Sequence, residues 1–313
     1  MLDFPGVSAL LIILVLFVWL ARRTRRLSRR IFRWPGVGVS VLLAVVTTVI
    51  LGAVLIGYWK LNRTYDNPVS QVTVAGTPEQ VARGARFEPY CSGCHSAGPG
   101  KPLTGHDFLG EGAPPIGTLY APNLTPVQLG DWSDGEIIRA IREGIHRNGR
   151  SLMIMPASLL HNLSDDDAKA IVAWLRSLPP QGGKTPTNRL NVLGAAMVNL
   201  ADVFEARPPI TEPVTAPPPG PTAGYGAYLA SLTCELCHGK RLQGDAAFGA
   251  PGLTFVPAAW EKEEFVHFIR TGTRPNGSSV DGDRMPWKDL SRFLSEDDDV
   301  RAVYAHLEEV AER

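Results

Sequence analysis

The 313-residue chain has four cysteines, and all of them fall in two copies of one short pattern, Cys91-Ser92-Gly93-Cys94-His95 and Cys234-Glu235-Leu236-Cys237-His238. Two thiols three positions apart lie on the same side of one helical turn, so both can add across the two vinyl groups of a single porphyrin. The histidine that follows then faces the iron, and imidazole is a nitrogen donor suited to low-spin iron. Each motif therefore predicts one covalently attached haem c, two in all. Cys91 and Cys94 hold the first and Cys234 and Cys237 the second, with His95 and His238 as iron ligands. A redox dithiol or a four-cysteine zinc site would draw on the same thiols. Zinc would leave both histidines surplus, and the two pairs are far apart in sequence. No thiol is left over for a disulfide framework.

An internal repeat guides the choice of sixth ligand. Trp132, Glu136, Arg142, Gly144, Asn148 and Gly149 recur 128 positions later as Trp260, Glu264, Arg270, Gly272, Asn276 and Gly277. A period this long indicates duplication of a domain rather than a stacked array. Of the five methionines, Met155 and Met285 each precede a proline, just after the shared Asn-Gly turn. An insertion of two residues aligns them, which would match Met153 with Asp283. Met155 and Met285 are thus the expected distal ligands, with Met153 the rival to Met155. A neutral thioether stabilises ferrous iron relative to a second imidazole. The remaining histidines, His106, His146, His161, His267 and His306, have no partner at that offset and are expected on surfaces and helices or against propionates.

A formal net charge of zero conceals an asymmetry. Residues 1–60 carry seven Arg and one Lys against Asp3 alone, which leaves residues 61–313 at a formal −7. That acidic portion offers no basic field for nucleic acid and favours a positively charged partner surface. The arginines lie between two apolar runs, 4–21 and 37–59. The second is a transmembrane helix by length and composition, and the first is just long enough to span. Trp19, Trp34, Tyr58 and Trp59 sit near the run ends, where amphipathic rings favour the headgroup layer. A cleaved signal peptide would need a basic stretch before the apolar core and a small-residue site after it, and neither is present. The expectation is a two-helix hairpin, with a single span at 37–59 as the alternative. The Arg-rich loop 22–33 stays cytoplasmic by the positive-inside rule, which sends both haem motifs to the extracytoplasmic side of a bacterial inner membrane.

Four segments follow: a membrane anchor at 1–60, a first haem domain at 61–180, a Pro-rich linker at 181–221 and a second haem domain at 222–313. Residues 61–77 read as a polar tether and 78–90 as a helix running into the first motif. Gly- and Pro-rich loops cover 96–126. Ile137, Ile138, Ile141 and Ile145 give the next helix one buried face. Ser164-Asp165-Asp166-Asp167 caps another, with Asp167 standing in for the usual capping-box glutamate. Ser295-Glu296-Asp297-Asp298 does the same near the C-terminus. Within the linker, 190–204 is apolar enough for a short helix. Packing against a haem domain is expected of it, with the membrane or a partner as its other destinations. Residues 208–221 form an extended spacer.

Both haem segments resemble class I cytochrome c domains, with a helix entering C-x-x-C-H, loops, a Met-Pro segment and a C-terminal helix crossing the first. The stretch from Pro122-Asn123-Leu124-Thr125-Pro126 through Trp132-Ser133-Asp134-Gly135-Glu136 to Met155-Pro156 and Leu175-Arg176-Ser177-Leu178-Pro179 is similar to cytochrome subunits of membrane-bound alcohol and sugar-acid dehydrogenases. Those subunits often carry three haems and a cleaved signal, and this chain departs on both counts. Two anchored haem domains also resemble the dihaem subunit of certain haem-copper oxidases. The resemblance implies a mainly α protein, a transmembrane hairpin followed by two tandem class I cytochrome c domains. It also implies single-electron relay between a quinol-oxidising or dehydrogenase complex and a terminal oxidase or soluble cytochrome. The rival reading is a dihaem peroxidase, which needs one haem with an open position.

Overall fold

The computed structural model describes residues 3–98, 100–110, 113–200 and 206–313. Helix α1 (Phe4–Thr24) starts at Asp3, whose carboxylate accepts from Gly6 N, and ends on Arg22 and Arg23, which complement the helix dipole. Helix α2 (Arg30–Asn62) is longer than the apolar run alone predicts, because the arginines at its start continue the helix; the loop shrinks to residues 25–29. The two helices pack antiparallel. Thr24 lies against Gly36 at one end, and at the other Asp3 N donates to Tyr58 Oη at 3.2 Å. Both are long and apolar enough to cross a membrane.

The tether expected at 61–77 is extended but not free. Tyr65 N donates to Gly149 O (2.9 Å), Asn67 to Glu143 (2.7 Å) and Val74 N to Asp134 (2.8 Å). Ser70 O approaches so closely that a Cβ on Gly135 would sit 1.9 Å from it. The chain is laid along the first unit as a strap.

That unit comprises α3 (Pro78–Ala85), α4 (Glu88–His95), α5 (Pro126–Leu129), α6 (Asp134–Glu143), α7 (Ala157–Leu160) and α8 (Asp165–Ser177). The single helix expected at 78–90 is two, divided at Arg86 and Phe87. Two short antiparallel pairs brace the loops. β1 (His106–Asp107) pairs with β3 (Tyr120–Ala121), and β2 (Gly117–Thr118) with β4 (Arg189–Leu190). The linker then forms α9 (Val192–Met197), and the end of its expected helix, 201–204, lies outside the described residues. The Pro-rich spacer also lies along the first unit, for Arg207 N donates to Glu143 O and Asp165 N to Val214 O, each at 2.8 Å.

The second unit repeats the first. It holds α10 (Ala223–Leu232), α11 (Glu235–His238), β5 (Gly244–Asp245) paired with β6 (Ala250–Pro251), α12 (Val256–Ala259), α13 (Lys262–Thr271), α14 (Trp287–Phe293) and α15 (Asp297–Ala311). Small details recur with it. Glu136 and Glu264 each close a capping box, Gly144 and Gly272 each end a helix at positive φ (67° and 69°), and Arg142 and Arg270 each bind the acidic first turn of the C-terminal helix, at Asp165 and Asp297. In each unit the first helix crosses the last at a glycine. A Cβ on Gly84 would fall 2.0 Å from Ala170 O, and one on Gly226 1.8 Å from Ala302 O.

The two units meet face to face about a local pseudo-twofold. Arg86 and Tyr228 each stand two residues after the crossing glycine, and each reaches the other unit's C-terminal helix: Arg86 to Asp299 (2.6 Å) and Tyr228 to Asp167. Phe293 plugs between Phe87 and Tyr90, with ring centroids 5.2 and 4.9 Å away. The caps depart from expectation here. Asp167 does not reach back to Ser164 N; that amide donates instead to Tyr228 Oη at 3.1 Å, so a side chain of the second unit completes a helix cap of the first. In the second unit the cap falls on Glu296 rather than Ser295.

Burial by itself raises the Asp167 carboxyl, but hydrogen bonds from Arg83, Tyr228 and Ser164 outweigh it and hold the group below its ordinary value. Asp299 goes the other way, burial raising it despite Arg86. A depressed carboxyl contributes stability above its unfolded-state pKa and loses that contribution as pH falls through the folded-state value. Tyr228→Phe removes one donor to Asp167 and the acceptor of Ser164 N–H. Thermal unfolding should show a loss of about 1–3 kcal/mol at neutral pH, with acid unfolding beginning at higher pH than in the parent. Unchanged stability would contradict the shared cap.

Candidate haem-binding cleft

Each C-x-x-C-H motif ends a short helix, α4 or α11, on its histidine, and both histidines are buried. His95 Nδ1 donates to Pro122 O and His238 Nδ1 to Pro251 O, both at 2.7 Å. The acceptors are positioned by the small strand pairs, Pro122 directly after β3 and Pro251 within β6. A carbonyl can only accept, so each ring carries a proton on Nδ1, which leaves Nε2 as the nitrogen for a ligand. Burial lowers the His95 pKa against the opposing pull of the Pro122 bond, which keeps that imidazole neutral.

The cysteines, histidines and both Met-Pro segments line one continuous cavity of about 1530 Å³ that runs through both units. Met155 and Met285 sit on matching turns. Ala157 N donates to Met155 O and Trp287 N to Met285 O, each at 2.7 Å, and the prolines between have nearly equal backbone angles (φ −77°, ψ 54° and φ −76°, ψ 60°). Both methionines pack half-buried against the core. Met153 and Asp283 also border the cavity, but the turn that recurs is built on Met155. Between Met153 and Met155, Ile154 is held at φ 61°, a left-handed conformation that a β-branched residue rarely adopts.

Burial pushes the Cys91 thiol up to about 12 and the Cys234 thiol to about 11. Among the described residues no three His, Cys, Asp or Glu side chains converge on a metal position. Covalent haem fits better. The walls are largely apolar, with Leu124, Leu129, Ile141, Phe265 and Phe268, while Arg150, Arg274 and Arg284 offer positive charge to propionates. Tyr90 Oη is buried with no hydrogen-bond partner among the described residues, beside both Cys91 and Cys234, and so offers a donor to a group filling the cleft.

Two features were not anticipated from sequence. Tyr90, next to a motif cysteine of its own unit, is also within electrostatic reach of a cysteine of the other. His146, expected on a surface, on a helix or against a propionate, lines the cleft, and its edge-on contact with the Trp132 ring at 4.8 Å between centroids was not foreseen. Alignment of the two crossing glycines is the signal that would have paired Arg86 with Tyr228.

Residues 79–175 match the family described as cytochrome C oxidase, cbb3-type, subunit III. The chain is also similar to a nicotinate dehydrogenase subunit of Pseudomonas putida, 29% identical over 69% of this chain and 20% of that protein. The cytochrome c subunit of the alcohol dehydrogenase (quinone) of Gluconobacter oxydans is 26% identical over 69% of this chain and 51% of that protein. The gluconate 2-dehydrogenase cytochrome c subunit of Pantoea cypripedii is 38% identical over 27% of this chain and 19% of its own length. The chain thus spans between a fifth and about half the length of these relatives. The first unit is thus similar to cytochrome c domains, a family whose prosthetic group is covalently bound haem c. The N-terminal helix pair has the length and composition of a membrane anchor.

Proposed function

We propose that the protein is a membrane-anchored dihaem cytochrome c in which both units are cytochrome c domains, placed on the extracytoplasmic face of a bacterial inner membrane. It would relay single electrons from a dehydrogenase or quinol-oxidising complex to a terminal oxidase or soluble cytochrome. The observation that carries this reading is the single cleft into which both motifs and both Met-Pro turns open. Haem c, once bound, supplies a one-electron ferric/ferrous couple. Cys91 and Cys94 would hold one ring and Cys234 and Cys237 the other, while His95 with Met155 and His238 with Met285 would ligate the irons. The thioethers would favour the reduced state. A methionine available to each iron beside its histidine would leave no position for peroxide, which favours electron transfer over the peroxidase reading.

The lining of the cleft supports different surroundings for the two proposed haem positions. Leu61, at the C-terminal end of the membrane helix α2, lines the cleft together with Tyr120 and Leu190 of the first unit. The first motif is therefore the membrane-proximal one, suited to exchange with a membrane-bound dehydrogenase or quinol-oxidising partner. The second is suited to a partner approaching from the aqueous side, with anchoring in place of free diffusion.

Serine at both Cys91 and Cys94, or at both Cys234 and Cys237, should halve the covalent haem per chain in a pyridine haemochrome assay. A count unaffected by either pair would overturn the dihaem reading. Met285→Leu should open one iron to carbon monoxide while the other stays unreactive, and Met155→Leu should open the other. Absence of carbon monoxide binding in either variant would remove that methionine from the ligand set.

A further inference from the structure

Helix α9 does not simply rest on a haem unit. One side meets the loop before β2, with Gly194 against Ile116 O and Asn191 Nδ2 donating to Pro115 O at 2.6 Å. Its other side is wedged between the outer ends of α1 and α2. A Cβ on Gly6 would lie 2.6 Å from Val192 Cγ1, and one on Gly57 only 1.8 Å from Ala195 O. Asn199 Nδ2 donates to Ala53 O at 2.8 Å, and Val7, Leu10, Val54, Tyr58, Val192, Ala195 and Ala196 share one apolar cluster.

Those contacts fix its depth. Helix α1 has 21 residues and so spans about 31 Å, close to the hydrocarbon thickness of a bilayer. Val7 and Leu10 lie about 5–9 Å inside its outer end. On α2, Ala53 and Val54 lie one to two turns inward of Tyr58 and Trp59, whose rings mark the interface. A segment touching all of these sits below the headgroup plane.

We infer that Val192–Met197 is a third lipid-contacting segment, a short helix embedded in the outer leaflet, with acyl chains of the bilayer as the occupant of its open face. Leu193 and Met197, four residues apart and 49% and 41% exposed, form that face. They continue the lipid-facing surface of the same part of α2, where Leu55 and Ile56 are also exposed. Residues 191–200 carry no charge. Backbone at this depth needs partners. Asn191 accepts from Leu193 N and Gly194 N, and the close approach at Gly57 and Ala195 is of the kind small residues permit between membrane helices. Tyr58 Oη donates to Leu190 O at 3.2 Å, so the first unit is fastened to the membrane where the chain leaves α2 and again where it returns.

The inference rests on the membrane reading of α1 and α2, and one experiment separates the two. The haem-loaded full-length protein is reconstituted in phosphatidylcholine vesicles containing a phospholipid with a diazirine in its acyl chain, irradiated, and its peptides are mapped by mass spectrometry. Adducts are expected at Leu193 and Met197 in yield comparable to Leu55 and Ile56, and Leu193→Asn with Met197→Gln should lower labelling of α9 while leaving α1 and α2 unchanged. Labelling of α1 and α2 without 192–197 would overturn the inference alone. Absence of adducts in all three would overturn the membrane reading and the inference with it.

Discussion

At Gly84 and Gly226 a single methyl group would collide with the carbonyl oxygen of the helix that crosses there, and the rest of the soluble part depends on that close approach. Interiors packed near crystal density do not absorb such an addition without moving a helix. With α3 pressed on α8, the turn at Arg86 and Phe87 releases α4 at a fixed angle, so Cys91, Cys94 and His95 face the cavity. The same contact in the second unit sets α10 on α15 and leads into Cys234, Cys237 and His238. Crossing, motif and loop carbonyl form one chain of constraint: the helix pair fixes the histidine, and the small strand pair fixes the oxygen that orients its ring.

The crossing also makes two similar units into one body. Arg86 and Tyr228, each two residues past a crossing glycine, bind the acidic N-terminus of the opposite C-terminal helix. Helix N-termini carry unsatisfied amides and positive dipole ends that favour carboxylates; the carboxylates in turn attract donors from across the interface. Phe293 adds an apolar anchor between Phe87 and Tyr90. The strap at 63–77 and the Pro-rich spacer lie along the first unit, so the chain between domains adds contacts rather than freedom.

Much of this was legible in the sequence because it is local. The motifs, the Asn-Gly turns, the capping boxes and the two apolar runs are set by residues a few positions apart, and the 128-residue offset exposed the repeat. Choosing Met155 over Met153 also followed from the repeat, and Met155 and Met285 do sit on matching turns. What stayed hidden is long-range. A cap completed by Tyr228, more than sixty residues from Ser164, leaves no local pattern, and Asp167 reads as an ordinary capping residue until its partner is seen. Residues 192–197 have no charge and too few turns to show a period, so a helix was legible there but its packing on α1 and α2 could not be chosen over the alternatives. His146 had no partner at the repeat offset, and only the fold brings it to the Trp132 ring.

The central claim is that two haems share one rigid, continuous cleft. Pulsed electron paramagnetic resonance on the fully oxidised protein in membranes tests it most directly, by reading the dipolar coupling between the two low-spin ferric centres. A strong coupling with a single narrow distance distribution, abolished by serine at both Cys234 and Cys237, is the predicted result. A signal from one isolated ferric centre, or a broad distribution typical of domains moving independently on a linker, would contradict the account.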